Sequence, residues 1–189
     1  MTIELFWQFL VYAWWATELY IAVSTRTRRG SGMVKDRGTM ALMWVAIVGS
    51  VTASEFIRRM EPANLFANSA WPGIAAAALM IFGLSLRWVA VLSLGKAFSA
   101  NVAIRDTQTV YQSGVYRIVR HPSYSALLLI FLAVALHTRN LLAAAVVLLL
   151  PTAALLFRIH VEEIALNEAF CDEYAKYSQS TKRLIPGIY

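Results

Sequence analysis

The sequence predicts an all-α integral membrane protein, with about five transmembrane helices followed by a cytoplasmic helix and tail at the C-terminus. Three observations predict it. Of the 189 residues, 59% are hydrophobic and only 15% are charged, a balance far from that of an ordinary soluble domain. Apolar stretches of about the length of a bilayer crossing recur along the chain, separated by polar connections. Lysine and arginine crowd the connections on one side of those stretches. The whole chain, 1–189, reads as a single membrane domain, with three N-terminal spans in 1–95 and a chemistry-bearing half in 96–189.

The first span, 5–24, carries Trp7, Trp14 and Trp15. Trp7 suits an interfacial belt, whereas Trp14 and Trp15 lie deep enough to pack between helices. Glu18 also falls in this span. An intramembrane carboxylate is a functional group or else a residue that reaches the interface or pairs locally. A basic loop follows, with Arg26, Arg28, Arg29, Lys35 and Arg37, and reads as a topology signal. The second span, 39–56, has Glu55 near its far end and is closed by Arg58, Arg59, Glu61 and Pro62. Pro72 opens the third, which runs to 94 with Arg87 near its exit.

The connection 96–116 is the longest polar one, and loops of that length are often functional. The fourth and fifth spans, 123–136 and 141–157, flank the polar turn His137-Thr138-Arg139-Asn140. Beyond them a polar helix is expected, with Val161, Ile164, Ala165 and Phe170 inward and Glu168, Asp172, Glu173 and Lys176 facing water. The tail from Leu184 to Tyr189 is apolar and aromatic enough to dock.

Charge sets the expected orientation. One side collects Arg26, Arg28, Arg29, Lys35, Arg37, Lys96, Arg105, Arg117, Arg120, Arg158, Lys176, Lys182 and Arg183, with Arg87 close by. The other has Arg58, Arg59 and Arg139. The first side is therefore expected in the cytoplasm, with the N-terminus outside. The net charge of +6 is explained by this topology, and no nucleic-acid partner is expected. Glu4, rather than a basic region, precedes the first apolar stretch, so no cleavable signal peptide is expected. The single cysteine, Cys171, excludes an intramolecular disulfide.

The chain is organised around Arg120-His121-Pro122-Ser123-Tyr124, led in by Gly114-Val115-Tyr116. Two antiparallel helices joined by a short turn begin and end on the same side, so Arg120 and His121 should meet Arg158 and Glu162-Glu163. Pro122 suits a first helical turn, where its missing N–H costs nothing. Arg120 and His121 can hold a carboxylate or phosphate. Glu162 and Glu163, about 100° apart on a helix, cannot both face one ligand; one can accept bonds from an ammonium or ribose while the other pairs elsewhere. Tyr116 and Tyr124 offer faces to an adenine or a sulfonium. Plainer readings stand beside these: an Arg158–Glu162 ion pair one turn apart, Arg120 as one more topology charge, and the tyrosines as interfacial anchors. His160 and Glu163 lack a second histidine at ligand spacing, so no metal is expected.

Gly114-Val115-Tyr116, Arg120-His121-Pro122-Ser123-Tyr124, Arg158 with Glu162-Glu163, Phe170, Glu173-Tyr174, Tyr177 and Leu184-Ile185-Pro186 together resemble the isoprenylcysteine carboxyl methyltransferase family, especially its short prokaryotic members. The resemblance covers the chain from about Leu94 onward; the first two spans match only in character. It implies S-adenosylmethionine as cofactor, contacted by Tyr116, Arg120, His121, Pro122, Ser123, Tyr124, Glu162 and Glu163. It also implies a methyl acceptor facing Arg158, with Arg158 and Glu162 as the catalytic pair. Gln108-Thr109-Val110-Tyr111 falls where the family has a cofactor-lining stretch, usually His-x-Leu-Val; Gln108 and Tyr111 depart from that pattern and point to backbone contacts there. Asn101 falls where some members carry a polar cofactor contact, and Ser125-Ala126 replaces a small glycine after the tyrosine. The acceptor implied is a lipophilic or lipidated carboxylate reached from membrane lipid. Phospholipid and small-thiol methyltransferases share these elements, and sterol reductases, which use a nicotinamide cofactor, share a similar C-terminal half.

Overall fold

A computed structural model of the chain describes residues 3–25, 33–34, 38–60, 69–95, 98, 103–104 and 109–189. Its architecture is helical: α1 (Ile3–Ser24), α2 (Thr39–Met60), α3 (Trp71–Leu94), α4 (Pro122–Thr138) and α5 (Leu141–Ser180), with a 3-10 turn at Gly114–Arg117. Two two-residue strands, β1 (Met33–Val34) and β2 (Ala103–Ile104), pair antiparallel and tie the segment after α1 to the segment after α3. Nothing in the hydrophobic pattern announced this ladder, which is too short for a period of two to register.

The sequence expectation of about five spans is met in part. Three helices, α2, α3 and α5, are long and apolar enough to cross a membrane, while α4 is apolar but only 17 residues long. The outer surface carries the same message. Phe9, Tyr12, Val45, Phe56, Ile74, Phe82, Leu92, Leu149 and Leu150 are all exposed, an apolar surface far larger than a water-facing protein tolerates.

Helix α3 packs on α4 and α2 on α5, with α4 against α5 and α1 against α3. The closest approach is at Gly83. A Cβ there would lie 2.8 Å from Ile130 Cγ1 and 3.1 Å from the Ala126 carbonyl oxygen, so a small residue lets α3 and α4 come together. Trp14, Met80, Leu127, Ile130, Phe131 and Leu155 form the centre of the core. Trp14 is packed between helices as its depth predicted, and Trp15 stacks on Trp44 with centroids 6.1 Å apart. Trp7 differs from expectation. It is buried and stacked on His137 at 4.1 Å, because the end of α4 offers a flat partner that an interfacial belt would not.

The α4–α5 turn has the capping chemistry its polar residues suit. Arg139 takes the left-handed conformation (φ 53°) after α4. The Asn140 side-chain oxygen accepts from the Ala143 N–H at 2.9 Å, an N-cap. Pro122 occupies the first turn of α4. Helix α5 runs on past the apolar stretch to Ser180 and is kinked at Cys171 (φ 42°, ψ −118°). Its inner stripe includes Val161 and Ala165 as expected, but Ile164 is exposed and Glu163 is buried in its place. Glu163 faces inward because basic side chains from two other segments meet it there. The tail docks through Leu184, which is buried, while Ile185, Ile188 and Tyr189 stay exposed.

Candidate active site

At one end of the bundle a cavity opens among the ends of α1, α2 and α3, the start of α4, the middle of α5 and the segment Thr109–Tyr116. Helix alternation accounts for this gathering. Glu18 near the end of α1, Thr39 at the start of α2 and Arg87 near the end of α3 all meet α4 or α5 here. The opposite end brings the Ile3 side chain and Arg139 together at Gly73.

A chain of side chains crosses the cavity where α4 meets α5. Arg158 Nε donates to the Tyr124 hydroxyl at 2.9 Å, and that hydroxyl donates to Glu162 Oε2 at 2.7 Å. Arg158 Nη1 also donates to Thr39 Oγ1 at 2.9 Å. The guanidinium is only 2% exposed, so α2, α4 and α5 together fix where its charge sits. Tyr124 stands between Arg158 and Glu162, whose one-turn spacing had pointed to a direct ion pair.

The two adjacent glutamates part as helix geometry requires. Glu162 lines the cavity. Glu163 is absent from its wall and serves a cluster behind it. Arg120 Nη2 lies 2.9 Å from Glu163 Oε1, and Arg183 Nη2 lies 2.7 Å from Glu163 Oε2. His121 Nε2 lies 3.3 Å from Oε1; a carboxylate can only accept, which makes Nε2 the donor. Arg120 also donates to the Ser178 carbonyl at 2.8 Å and to the Thr181 carbonyl. Its backbone N–H, and that of His121, donate to the Lys182 and Arg183 carbonyls at 2.8 and 3.0 Å. The tail is thus laced to the start of α4, and the His121 ring is held at the cavity wall.

On the other side Arg87 and Glu18 form a bidentate pair, Nε to Oε1 at 2.9 Å and Nη2 to Oε2 at 2.8 Å. Arg87 Nη1 donates to the Ser123 carbonyl at 3.3 Å and to the Ser123 hydroxyl. Glu18 and Arg87 are 4% and 3% exposed. The pairing is long-range, where sequence reasoning had offered the interface or a local partner for Glu18. The available signal was two opposite charges inside apolar spans, each near the same end of the bundle.

Of the residues singled out from sequence, Thr109, Val110, Tyr111, Tyr116, Arg120, His121, Ser123, Tyr124, Arg158 and Glu162 all line the cavity. Pro122 is buried beneath it as the start of α4. Asn101 and Gln108 lie outside the described residues, as do Arg26, Arg28, Arg29, Lys35, Arg37, Lys96 and Arg105 among the cations used to orient the chain. One region of the wall is aromatic: Tyr111, Tyr116, Phe170, Tyr174 and Tyr177. Burial pushes the Tyr116 phenol above its ordinary pKa, so it stays neutral, and its hydroxyl donates to the Ala90 carbonyl at 3.2 Å. Another region, with Ile21, Met43, Trp44 and Leu94, is mainly apolar. No cluster of metal-ligating side chains occurs among the described residues.

The isoprenylcysteine carboxyl methyltransferase family model matches residues 76–168, from the middle of α3 through the Arg158–Glu163 segment. A rice protein named probable protein-S-isoprenylcysteine O-methyltransferase is 30% identical over 112 residues, 58% of this chain and 59% of its own. The rat protein-S-isoprenylcysteine O-methyltransferase is 32% identical over 120 residues, 62% of this chain and 42% of its own. The cobalt-zinc-cadmium resistance protein CzcN of Cupriavidus metallidurans is 30% identical over 147 residues, 77% of this chain and 63% of its own. The chain therefore spans less than two thirds of the length of each of these relatives, from 42% to 63%. The matched segment carries the Arg-His-Pro-Ser-Tyr stretch and the paired glutamates, so the chain is similar to the isoprenylcysteine carboxyl methyltransferase family across the part that bears the site.

Proposed function

We propose that the chain is an S-adenosylmethionine-dependent methyltransferase. In this reading it esterifies a carboxylate on a lipophilic acceptor of the isoprenylcysteine type, at the cytoplasmic face of a membrane crossed by five helices. The observation that carries the reading is the Arg158–Tyr124–Glu162 chain. It sets a buried cation two hydrogen bonds from a carboxylate, in a cavity with one aromatic and one apolar region. The residues present fit the cofactor. Planar rings suit its base, and Glu162 can accept from ribose hydroxyls or from an ammonium.

When bound, S-adenosylmethionine supplies an electrophilic methyl group on a sulfonium. An acceptor carboxylate is already ionised at neutral pH and needs no general base; it needs to be held in line. Arg158 does this with a planar fork whose position Tyr124 and Thr39 fix. Tyr124 couples that fork to Glu162, so one rearrangement would disturb both ligands. The apolar wall at Met43, Trp44 and Leu94 takes the lipophilic part of the acceptor and keeps water from the transfer. Charge is neutralised in such a transfer, so a dry site and close positioning would supply much of the rate.

Calorimetric titration of purified protein with S-adenosylhomocysteine and with NADPH tests the cofactor. The first should bind and the second should not. Glu162→Ala should weaken the first by roughly 1.5–3 kcal/mol, the range for a hydrogen bond to a charged group. Binding of NADPH without S-adenosylhomocysteine would replace this reading with that of a membrane reductase.

A further inference from the structure

Among the described residues, the aromatic region of the cavity contains one buried hydroxyl without a partner. Tyr174 lines the cavity and is 2% exposed. Its hydroxyl is buried and has no hydrogen-bond partner among the described residues. Its neighbours are satisfied. Tyr177, whose ring meets Tyr174 edge-on with centroids 6.0 Å apart, donates to the Tyr116 carbonyl at 2.5 Å. Tyr116 donates to the Ala90 carbonyl, and the Tyr124 hydroxyl is bonded on both sides. An unpaired buried hydroxyl costs free energy that a phenylalanine of the same shape would avoid. The deficit is removed if an occupant of the cavity brings a polar atom to it.

The surroundings narrow the occupant. Around Tyr174 the wall is made of Phe170, Tyr177, Tyr116 and Tyr111, with Tyr111 edge-on to Tyr116 at 5.6 Å. Such walls suit a flat ring with polar edges, while Arg158 and Glu162 offer charge elsewhere on the cavity wall. We infer that Tyr174 is a specificity-determining residue, whose hydroxyl makes a direct hydrogen bond to the heteroaromatic base of the bound cofactor. This rests on the S-adenosylmethionine reading and assigns the base its place within it.

Tyr174→Phe tests the inference, because it removes only an oxygen that the ligand-free protein does not use. In detergent, the unfolding temperature of the ligand-free variant should equal or exceed that of the unaltered protein. Its affinity for S-adenosylhomocysteine should fall roughly three- to tenfold, the effect of one neutral hydrogen bond. Adenosine, which keeps the base and lacks the amino-acid arm, should lose affinity by the same factor. Equal affinity of both proteins for S-adenosylhomocysteine would overturn the inference and leave the cofactor intact, as expected if water meets the hydroxyl. A lower unfolding temperature without ligand would overturn it in another way, by showing that the hydroxyl has a partner within the protein. Failure of the unaltered protein to bind S-adenosylhomocysteine would remove the cofactor reading, and this inference with it.

Discussion

In the proposed reading, Arg158 is the residue on which the acceptor side of the site turns. Its guanidinium is buried against Tyr124 and Thr39, and two roles compete for it: holding an anionic acceptor, or holding Tyr124 and through it Glu162. If it holds the acceptor, Arg158→Ala should abolish methylation of a farnesylated cysteine derivative while S-adenosylhomocysteine affinity stays within a few-fold. Arg158→Lys should rescue poorly, since a point charge cannot reproduce the fork. A parallel fall in affinity and turnover would reduce Arg158 to support for Glu162. Arg87 and Glu18 pose a different question. Breaking a buried pair leaves a charge without compensation, so Glu18→Ala or Arg87→Ala alone should cost about 3–5 kcal/mol of stability. Replacing both by apolar residues of similar size should cost much less, because no lone charge remains; thermal unfolding of the single and double variants measures the difference. Equal losses in single and double variants would show that the pair acts through something other than mutual neutralisation. The sequence disclosed Arg158, Glu162 and His121 because they sit in a local pattern. It did not disclose the partner of Glu18, because a contact across 69 positions leaves no spacing signal.

Among the elements, α3 and α4 form the contact on which the site depends, since Arg87 reaches Ser123 across it. Gly83 permits their approach. Gly83→Ala should lower stability by about 1–3 kcal/mol through overpacking, as its Cβ would press on Ile130 and on the Ala126 backbone. Gly49 is the control, since a Cβ there meets nothing within 4 Å and alanine favours helix. If both alanine variants unfold at the same temperature, the α3–α4 contact is looser than described. Helix positions were legible in the sequence because apolar runs bounded by Pro72, Pro122 and the His137–Asn140 turn are local features. Less legible was α5, where one helix carries both the apolar stretch and the polar one. The kink at Cys171 sits at a residue with no intrinsic tendency to break a helix. The direction of Glu163 was equally hidden. Its inward turn depends on Arg120 and on Arg183 from the tail, partners that only the folded chain assembles.

At the scale of the whole molecule, the alternation of the helices places both site clusters at one end and the α4–α5 turn at the other. That alternation fits the five crossings proposed above, and the loop charges are the ground for proposing that the cavity faces the cytoplasm. Thiol labelling of intact cells tests it with one residue at each end. Cys171 is exposed on α5 beyond Glu162, so an impermeant maleimide added outside should spare it and should reach it once the membrane is opened. Asn140 is a poor reporter for the other end, because it is buried and caps α5. Leu141 is 74% exposed beside it. In a Cys171→Ser background, Leu141→Cys should be labelled from outside. Two effects could imitate orientation: a thiol shielded by lipid, or one shielded by the fold. Labelling of both positions in detergent removes the first, and in denaturant the second. Labelling of Cys171 but not of position 141 from outside would invert the protein. The cavity would then face away from the cytoplasm, where S-adenosylmethionine is made and held, and the cofactor reading would fail with the topology.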